Sequence, residues 1–372
     1  MVTLRLCYIL LSPTWGMHQY TADLANRMSA VGHEVHLITT RRVPRDRYVP
    51  EVEIHTPFET TDRGFSPRGL RSTPSAVRAA LSTIHQVRPD VVHITGAHLG
   101  NPWLLRALRR QGLPTVHTLH DLHPHAGSTY GRLLYAWNAW VRREASHLLV
   151  HGERYRAELI RAGVAPLRVT CTLLTHLFVN AQRQQALEQS PPEVEYEPRA
   201  LFIGRLEAYK GLDVLVEAVR RLEDCGVGVI IAGQGRLEEH VRGPLPGNVQ
   251  LRSGLVGDDE AVELFRRCGV VVLPYVEASQ SALPAAAYFF SKPVLVTRVG
   301  ALPEYVVDGE TGRVVPPGDC RELAEALATV LTDTARLVQL GCAGHAWYVQ
   351  QRQADSAALQ AMYARVAGRD QP

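Results

Sequence analysis

The sequence predicts an α/β fold of two doubly wound, Rossmann-like domains facing a central cleft. Three observations carry that prediction. Short apolar runs alternate with helix-period stretches along nearly the whole chain, the pattern of parallel sheets joined by crossover helices. A polar stretch near the middle, NAQRQQALEQSPPEVEYEP (180–198), with a Pro-Pro pair and an acidic tail, has the composition of a linker. The length, 372 residues, suffices for two α/β domains of ordinary size. The expected organisation is a first domain over residues 1–178, a linker over 179–198, a second domain over 199–345 and a long amphipathic tail over 346–372.

In the first domain, residues 4–11 read as a buried strand. A loop with Gly16 then gives way to a helix from His18 to Val31, stopped by Gly32, and a strand over 34–39. Strand 52–57 leads into a loop rich in Thr, Gly, Pro and Arg (59–74). Helix 75–87, strand 90–95, a strand within 114–127 that ends in a histidine-rich loop, helix 129–145, strand 147–151, helix 153–163 and strand 168–172 complete the domain. The second domain reads strand 199–203, helix 211–224, strand 227–232, helix 236–242, strand 248–252, helix 258–268, strand 270–273, helix 279–290 and strand 293–297, then a helix over 319–332.

Composition bounds the function. Hydrophobic content of 46% and charge of 21% are those of a globular protein, and no run reaches the ~20 apolar residues of a membrane span. Six scattered cysteines without a C-x-x-C pair fit reduced thiols and a cytoplasmic setting. The net charge is +3, but residues 1–180 hold 21 arginines against 12 Asp plus Glu, about +9, leaving about −6 for the rest. A basic first half fits either a solvated face or contact with an anionic membrane surface or acceptor. No basic–aromatic interleaving points to nucleic acid.

Two runs carry the chemistry. In RALFIGRLEAYKGLDVLVEAV (199–219) a strand breaks at Gly204, and Arg205 and Lys210 stand at its mouth before a helix with Leu212, Leu215, Val216 and Val219 on one face. In VVVLPYVEASQSALPAAAYFFSKPVLVT (270–297) a strand leads to Glu277 and a helix whose first turn is expected to hold Ser279, Gln280 and Ser281, followed by Ala282 and Leu283. Ligands of open parallel sheets collect beyond the carboxyl ends of the strands. Cations there, facing backbone N–H groups at a helix start, make a site for a dense anion such as a diphosphate. Of 40 basic residues only Lys210 and Lys292 are lysine, which marks Lys210 as a point-charge phosphate contact rather than a solvated helix-start lysine. Gly233 and Gly235 fall short of G-x-G-x-x-G and read as a tight turn beside a nucleotide base.

These runs, together with AGQGRLEE after the strand at 227–232 and TRVGALPEYVVDGETGRVVPPGD (297–319), resemble the C-terminal half of a family-4, GT-B fold retaining glycosyltransferase, and the likeness extends over nearly the whole chain. It implies transfer of a hexose-type sugar from a UDP- or GDP-sugar to a hydroxyl acceptor with retention of configuration, in glycan, glycolipid or glycoconjugate biosynthesis, with no cofactor and no required metal. It implies a C-terminal helix crossing back to the first domain, and a role for Arg205 and Lys210 against charge growing on the leaving phosphate. Glu277 matches the first glutamate of the family's E-x7-E pattern, at the donor sugar. The second is missing: its place falls on Ala285 or Ala286, so the E-A-S-Q-S loop resembles a subgroup without it. Glu304 is either a base or ribose contact or a helix-start carboxylate. His120 of the His120-Asp121 step is expected to position sugar hydroxyls or the acceptor, with Asp121 beside it, although a structural loop histidine is the alternative. The loop at Gly16 carries Met17 where relatives have a second glycine, making Trp15 and Met17 acceptor-side contacts or packing residues. The acceptor is left to loops 12–18, 59–74 and 121–130.

Other readings stay open at this level. One is an epimerase of the same fold; another is a sugar-nucleotide-binding subunit of low activity acting with a partner. A metal hydrolase built on His117, His120, Asp121, His123 and His125 lacks the further carboxylates from separate strands that such sites draw on.

Overall fold

The computed structural model describes residues 3–60, 62–123, 131–191 and 193–369. The strands are β1 (Arg5–Leu10), β2 (Glu34–Thr40), β3 (Glu53–Phe58), β4 (Val91–Ile94), β5 (Thr115–Leu119), β6 (His147–Val150), β7 (Val169–Cys171), β8 (Arg199–Ile203), β9 (Gly228–Gly233), β10 (Val249–Ser253), β11 (Val270–Leu273), β12 (Val294–Thr297) and β13 (Gly312–Val315). The helices are α1 (Trp15–Ala30), α2 (Pro67–Val87), α3 (Asn101–Arg110), α4 (Gly131–Glu144), α5 (Glu153–Arg161), α6 (Ala181–Gln189), α7 (Leu212–Arg220), α8 (Asp258–Arg267), α9 (Leu283–Phe289), α10 (Cys320–Leu331) and α11 (Thr334–Val366).

The chain forms two compact units, residues 1–185 with 353–372, and residues 186–352. The first holds a seven-stranded parallel sheet in the order β3-β2-β1-β4-β5-β6-β7. Its inner strands β1, β4, β5 and β6 are buried on both faces, which is why they read as continuous apolar runs rather than alternating ones. The second holds a six-stranded parallel sheet, β10-β9-β8-β11-β12-β13. The α/β, doubly wound fold expected from the sequence is the fold observed. The end of α11 groups with the first unit, where Tyr363 Oη meets Tyr8 Oη at 3.0 Å and His93 Nδ1 at 2.7 Å.

Several elements differ from expectation. The first helix opens at Trp15, not His18, so Gly16 lies in its first turn. Thr14 is its N-cap, and Met17 N and His18 N donate to the Thr14 carbonyl at 3.0 and 3.2 Å. Residues 67–74, expected in a loop, are the start of α2, with Pro67 pre-set for the first turn and Ser66 capping it. Helix α3 and strand β13 were not foreseen. The stretch 180–198, of linker composition, contains a helix, α6, started by Asn180 Oδ1 accepting from Arg183 N at 2.8 Å. The helix expected over 236–242 is one 3-10 turn, Leu237–Glu239.

Candidate functional site

In the second sheet, strand order reverses between β8 and β11, so loops from these neighbours leave in diverging directions and open the place where doubly wound folds hold ligands. Both chemistry-bearing runs end here. After β8 the chain passes Gly204 and Arg205 into a 3-10 turn, Ala208–Lys210, closed by Gly211 at φ +65°. After β11 it passes Pro274 and Tyr275 to Glu277. Two hydrogen bonds stitch the loops together: Val276 N and Glu277 N donate to the Tyr209 carbonyl at 2.9 and 3.3 Å. Gly211 permits the approach, because a Cβ there would stand 2.0 Å from the Pro274 oxygen.

Lys210 is the centre of this arrangement. Its side chain is 8% exposed, and its Nζ lies 5.0, 5.8 and 5.9 Å from the ring centroids of Tyr275, Phe202 and Tyr209. It donates to Tyr275 Oη at 3.4 Å, and that hydroxyl is also hydrogen-bonded to Ser281. Among the described residues no carboxylate forms an ion pair with it. Burial accordingly pulls its pKa down, opposed by the charges of Tyr209 and Glu207. Arg205, by contrast, is exposed and paired with Glu207.

The glycines after β8 and β9 serve a close backbone approach and not a tight turn. Gly204 N donates to the Ala232 carbonyl at 2.9 Å and Leu206 N to the Gln234 carbonyl at 2.7 Å. At Gly233 (φ +148°) a Cβ would lie 1.7 Å from the Gly204 oxygen, and at Gly235 (φ +133°) 2.7 Å from the Leu206 oxygen. The structure thus brings Gly204, Arg205, Lys210, Gly233, Gly235 and the Glu277–Ser281 loop to one sheet end. Ser279, Gln280 and Ser281 precede α9 instead of forming its first turn. Ala282 is its N-cap and Leu283 its first residue, with Leu283 N donating to Ser281 Oγ at 3.3 Å. Ala285 and Ala286, where the missing glutamate would stand, are buried. Glu304 sits in the 3-10 turn Leu302–Tyr305. This turn's loop is tied to the Ser279 loop through Ala301 N donating to the Ser279 carbonyl at 2.9 Å.

In the first sheet the order reverses between β1 and β4. Trp15, Gly16 and Met17 follow β1 there. Trp15 is half exposed, with the Arg47 guanidinium 4.6 Å from its ring centroid. Gly16 meets open space, with no atom within 4 Å of an added Cβ. Met17 packs beside Gly96, just beyond β4. His120 directly follows β5 at the same edge and gives its Nε2–H to the Thr95 carbonyl at 2.8 Å. A carbonyl only accepts, so a neutral ring carries its proton on Nε2 and turns Nδ1 into the acceptor. Its ring stacks edge-on to Tyr20 at 4.9 Å and lies 5.3 Å from His151. Burial lowers its pKa, opposed by the Thr95 carbonyl and Asp121. Asp121 offers its carbonyl to Asn138 Nδ2 at 3.0 Å.

The other histidines of this loop go separate ways. His117 Nε2 faces Asn101 Nδ2 at 3.0 Å, and His123 pairs with Glu158 at 2.8 Å; His125 lies outside the described residues. Among the described residues they form no metal-binding group.

Comparison with known proteins bears on this geometry. A family model described as "Glycosyl transferases group 1" matches residues 197–333, and one described as "Glycosyl transferase 4-like domain" matches residues 16–172. The chain belongs to the group 1 glycosyltransferases. A D-inositol 3-phosphate glycosyltransferase of Corynebacterium diphtheriae is 26% identical to this glycosyltransferase, covering 88% of the chain and 84% of its own. Among solved structures, sucrose-phosphate synthase from Thermosynechococcus elongatus superposes with a TM-score of 0.77 at 18% identity, over 99% of this chain and 100% of its own. Anabaena Alr3699/HepE in complex with UDP-glucose gives 0.71 at 16% identity, over 97% and 100%. Both confirm the GT-B fold of this glycosyltransferase. Among its described residues no helix is long and apolar enough to cross a membrane.

Proposed function

We propose that the protein transfers a hexose-type sugar from a nucleotide-diphosphate donor to a hydroxyl acceptor, with retention of configuration and without a required metal. The observation that carries this reading is the Lys210 ammonium, buried among three rings at the β8–β11 switch point with no carboxylate paired to it among the described residues. A buried charge lacking a counter-ion is costly. A diphosphate supplies that counter-ion, and the interaction strengthens as the leaving phosphate gains charge. Arg205 is the second cation, released from Glu207 when the donor binds. The Ser279–Ser281 loop and Leu283 complete the donor side, Glu277 meets the sugar, and Glu304 lines the ribose or base. The E-A-S-Q-S loop replaces the full two-glutamate pattern.

The second domain, residues 199–345, holds the donor in this reading, and the first, 1–178, takes the acceptor. His120 orients a sugar or acceptor hydroxyl through a ring held neutral by burial, with Asp121, Trp15 and Met17 on the acceptor side. The work belongs to glycan or glycolipid synthesis in the cytoplasm, at the inner membrane face where the basic first domain reaches it.

Calorimetric titration with UDP, GDP and ADP and their sugar conjugates tests the reading. UDP-glucose comes first because a similar structure was solved with it. Wild type should bind one diphosphate at micromolar concentration. Lys210→Ala should weaken binding at least tenfold and, in transfer assays, lower kcat about 10²–10³-fold, the loss of one preorganised donor to the leaving charge. D-inositol 3-phosphate is the first acceptor to try, from the relatives' name. Absence of binding to every nucleotide would overturn the proposal.

A further inference from the structure

At the amino ends of β2 and β3, at the opposite end of the first sheet from Trp15 and His120, three side chains from two strands converge. His36 and Glu53 are cross-strand partners, and His55 pairs two residues on, with Ile38. By the two-residue alternation of strands, Glu34 and His36 share one face, as do Glu53 and His55. His36 Nδ1 lies 3.2 Å from His55 Nε2 and 3.4 Å from Glu53 Oε2, and His55 Nε2 lies 3.4 Å from Glu53 Oε1. His36 is buried, His55 is half-buried and the Glu53 carboxylate reaches solvent.

The proton count of this cluster is poorly served by hydrogen bonds alone. His36 Nε2 faces Glu34 Oε1 at 3.0 Å. A carboxylate only accepts, so in a neutral ring the proton sits on Nε2 and the lone pair on Nδ1 points into the cluster. Glu34 is itself fixed by Arg5 Nε at 2.7 Å. The cluster then holds three acceptors, His36 Nδ1 and two carboxylate oxygens, and the single Nε2–H of a neutral His55 satisfies only one of them. One divalent cation satisfies all the ligands together. The spacing suits it: around Zn²⁺ bound at about 2.0–2.1 Å, the edge of a ligand tetrahedron is about 3.4 Å. Glu34 takes the place of the carboxylate that orients a metal-bound histidine through its far nitrogen.

We propose that His36, Glu53 and His55 form a binding site for a zinc-like divalent transition ion, with Glu34 positioning His36 and water completing the tetrahedron. The site is separate from the transfer chemistry. Its ion clips β3, the edge strand of the first sheet, to β2, adding to their backbone pairing.

The test uses the full chain without an affinity tag, freed of metal by chelator and dialysis. Titration with Zn²⁺ should show one site with a dissociation constant below 100 μM, and Zn²⁺ should raise the thermal midpoint. Co²⁺ in its place should give the intense visible absorption of a four-coordinate ion. His55→Ala and Glu53→Gln should each weaken Zn²⁺ binding at least 100-fold and abolish the Co²⁺ band. Glu34→Gln should weaken binding about 10–100-fold, as loss of an orienting carboxylate does. Glu53 is exposed, so Glu53→Gln keeps the test readable if His55→Ala does not fold. No saturable binding below 100 μM, or a site of unchanged affinity in both variants, would overturn the proposal.

Discussion

The chain's two lysines show how one residue type is put to two uses. Lys292 is fully buried, yet its ammonium has a home: it donates to the Glu195 carbonyl and lies 4.0 Å from the centroid of the Tyr196 ring. Desolvation still draws its pKa down to about 8. Among the described residues Lys210 has rings but no such acceptor beyond the Tyr275 hydroxyl, and its loop is shaped by glycines. Gly233 is the sharpest case. Its φ of +148° excludes ordinary side chains, and an added Cβ would fall 1.7 Å from the Gly204 oxygen, in backbone that cannot rotate aside. Gly233→Ala should therefore cost about 1–3 kcal/mol for the forced dihedral alone, with more from the clash. Because Gly204 directly precedes Arg205, diphosphate binding should weaken as well. Urea unfolding and nucleotide titration of the same variant check both. Gly32→Ala, positive in φ but open on every side, should lose only stability.

At the scale of elements, legibility in the sequence followed the strength of the local signal. Buried strands such as Val270–Leu273 and Arg199–Ile203 were readable to the residue because a β-branched, apolar run bounded by Gly and Pro has few other uses. So were Lys210 and Glu277 as neighbours, since both follow strands of one sheet. Their joining by the Tyr209 carbonyl was not, because backbone bonds between loops leave no mark on side-chain pattern. Proline misled at α2. Pro67 and Pro74 looked like loop punctuation, but Pro67 opens the helix and Pro74 lies inside it. The cap decides that helix: Ser66 Oγ accepts from Gly69 N at 3.0 Å and gives its own proton to Asp62, which also accepts from Gly64 N at 2.5 Å. Ser66→Ala should destabilise the protein by about 1 kcal/mol. It should also raise amide exchange over residues 67–73 while leaving 80–87 protected, which hydrogen exchange would read directly. Helix α6 was hidden for the opposite reason: its sequence is polar throughout and buries only Leu187.

For the whole molecule, the histidines divide the two units. The first unit buries imidazoles along its sheet: burial lowers the pKa of His18, His98 and His147 to about 4 and of His117 to about 3, and pushes His93 and His151 well below their ordinary value. The described histidines of the second unit, His240 and His345, are only half-buried. The ordinary histidine value is near 6.5, so between about pH 6.5 and 4 these rings are protonated when unfolded and bare when folded. The unfolded state binds more protons there, and stability falls as pH falls through that window. Each such histidine contributes a slope of up to about 1.4 kcal/mol per pH unit. The carboxylates held below their usual range, Glu34, Asp62 and Glu144 in the first unit and Glu238 and Glu263 in the second, add loss of the same sign only at lower pH. Acidification from pH 7 to 5 should therefore loosen the first unit before the second. Limited proteolysis at pH 5 should cut within residues 3–180 while a fragment containing 199–352 persists, and the cuts should disappear at pH 7.5. Simultaneous loss of both units would mean that the buried histidines do not govern the acid transition.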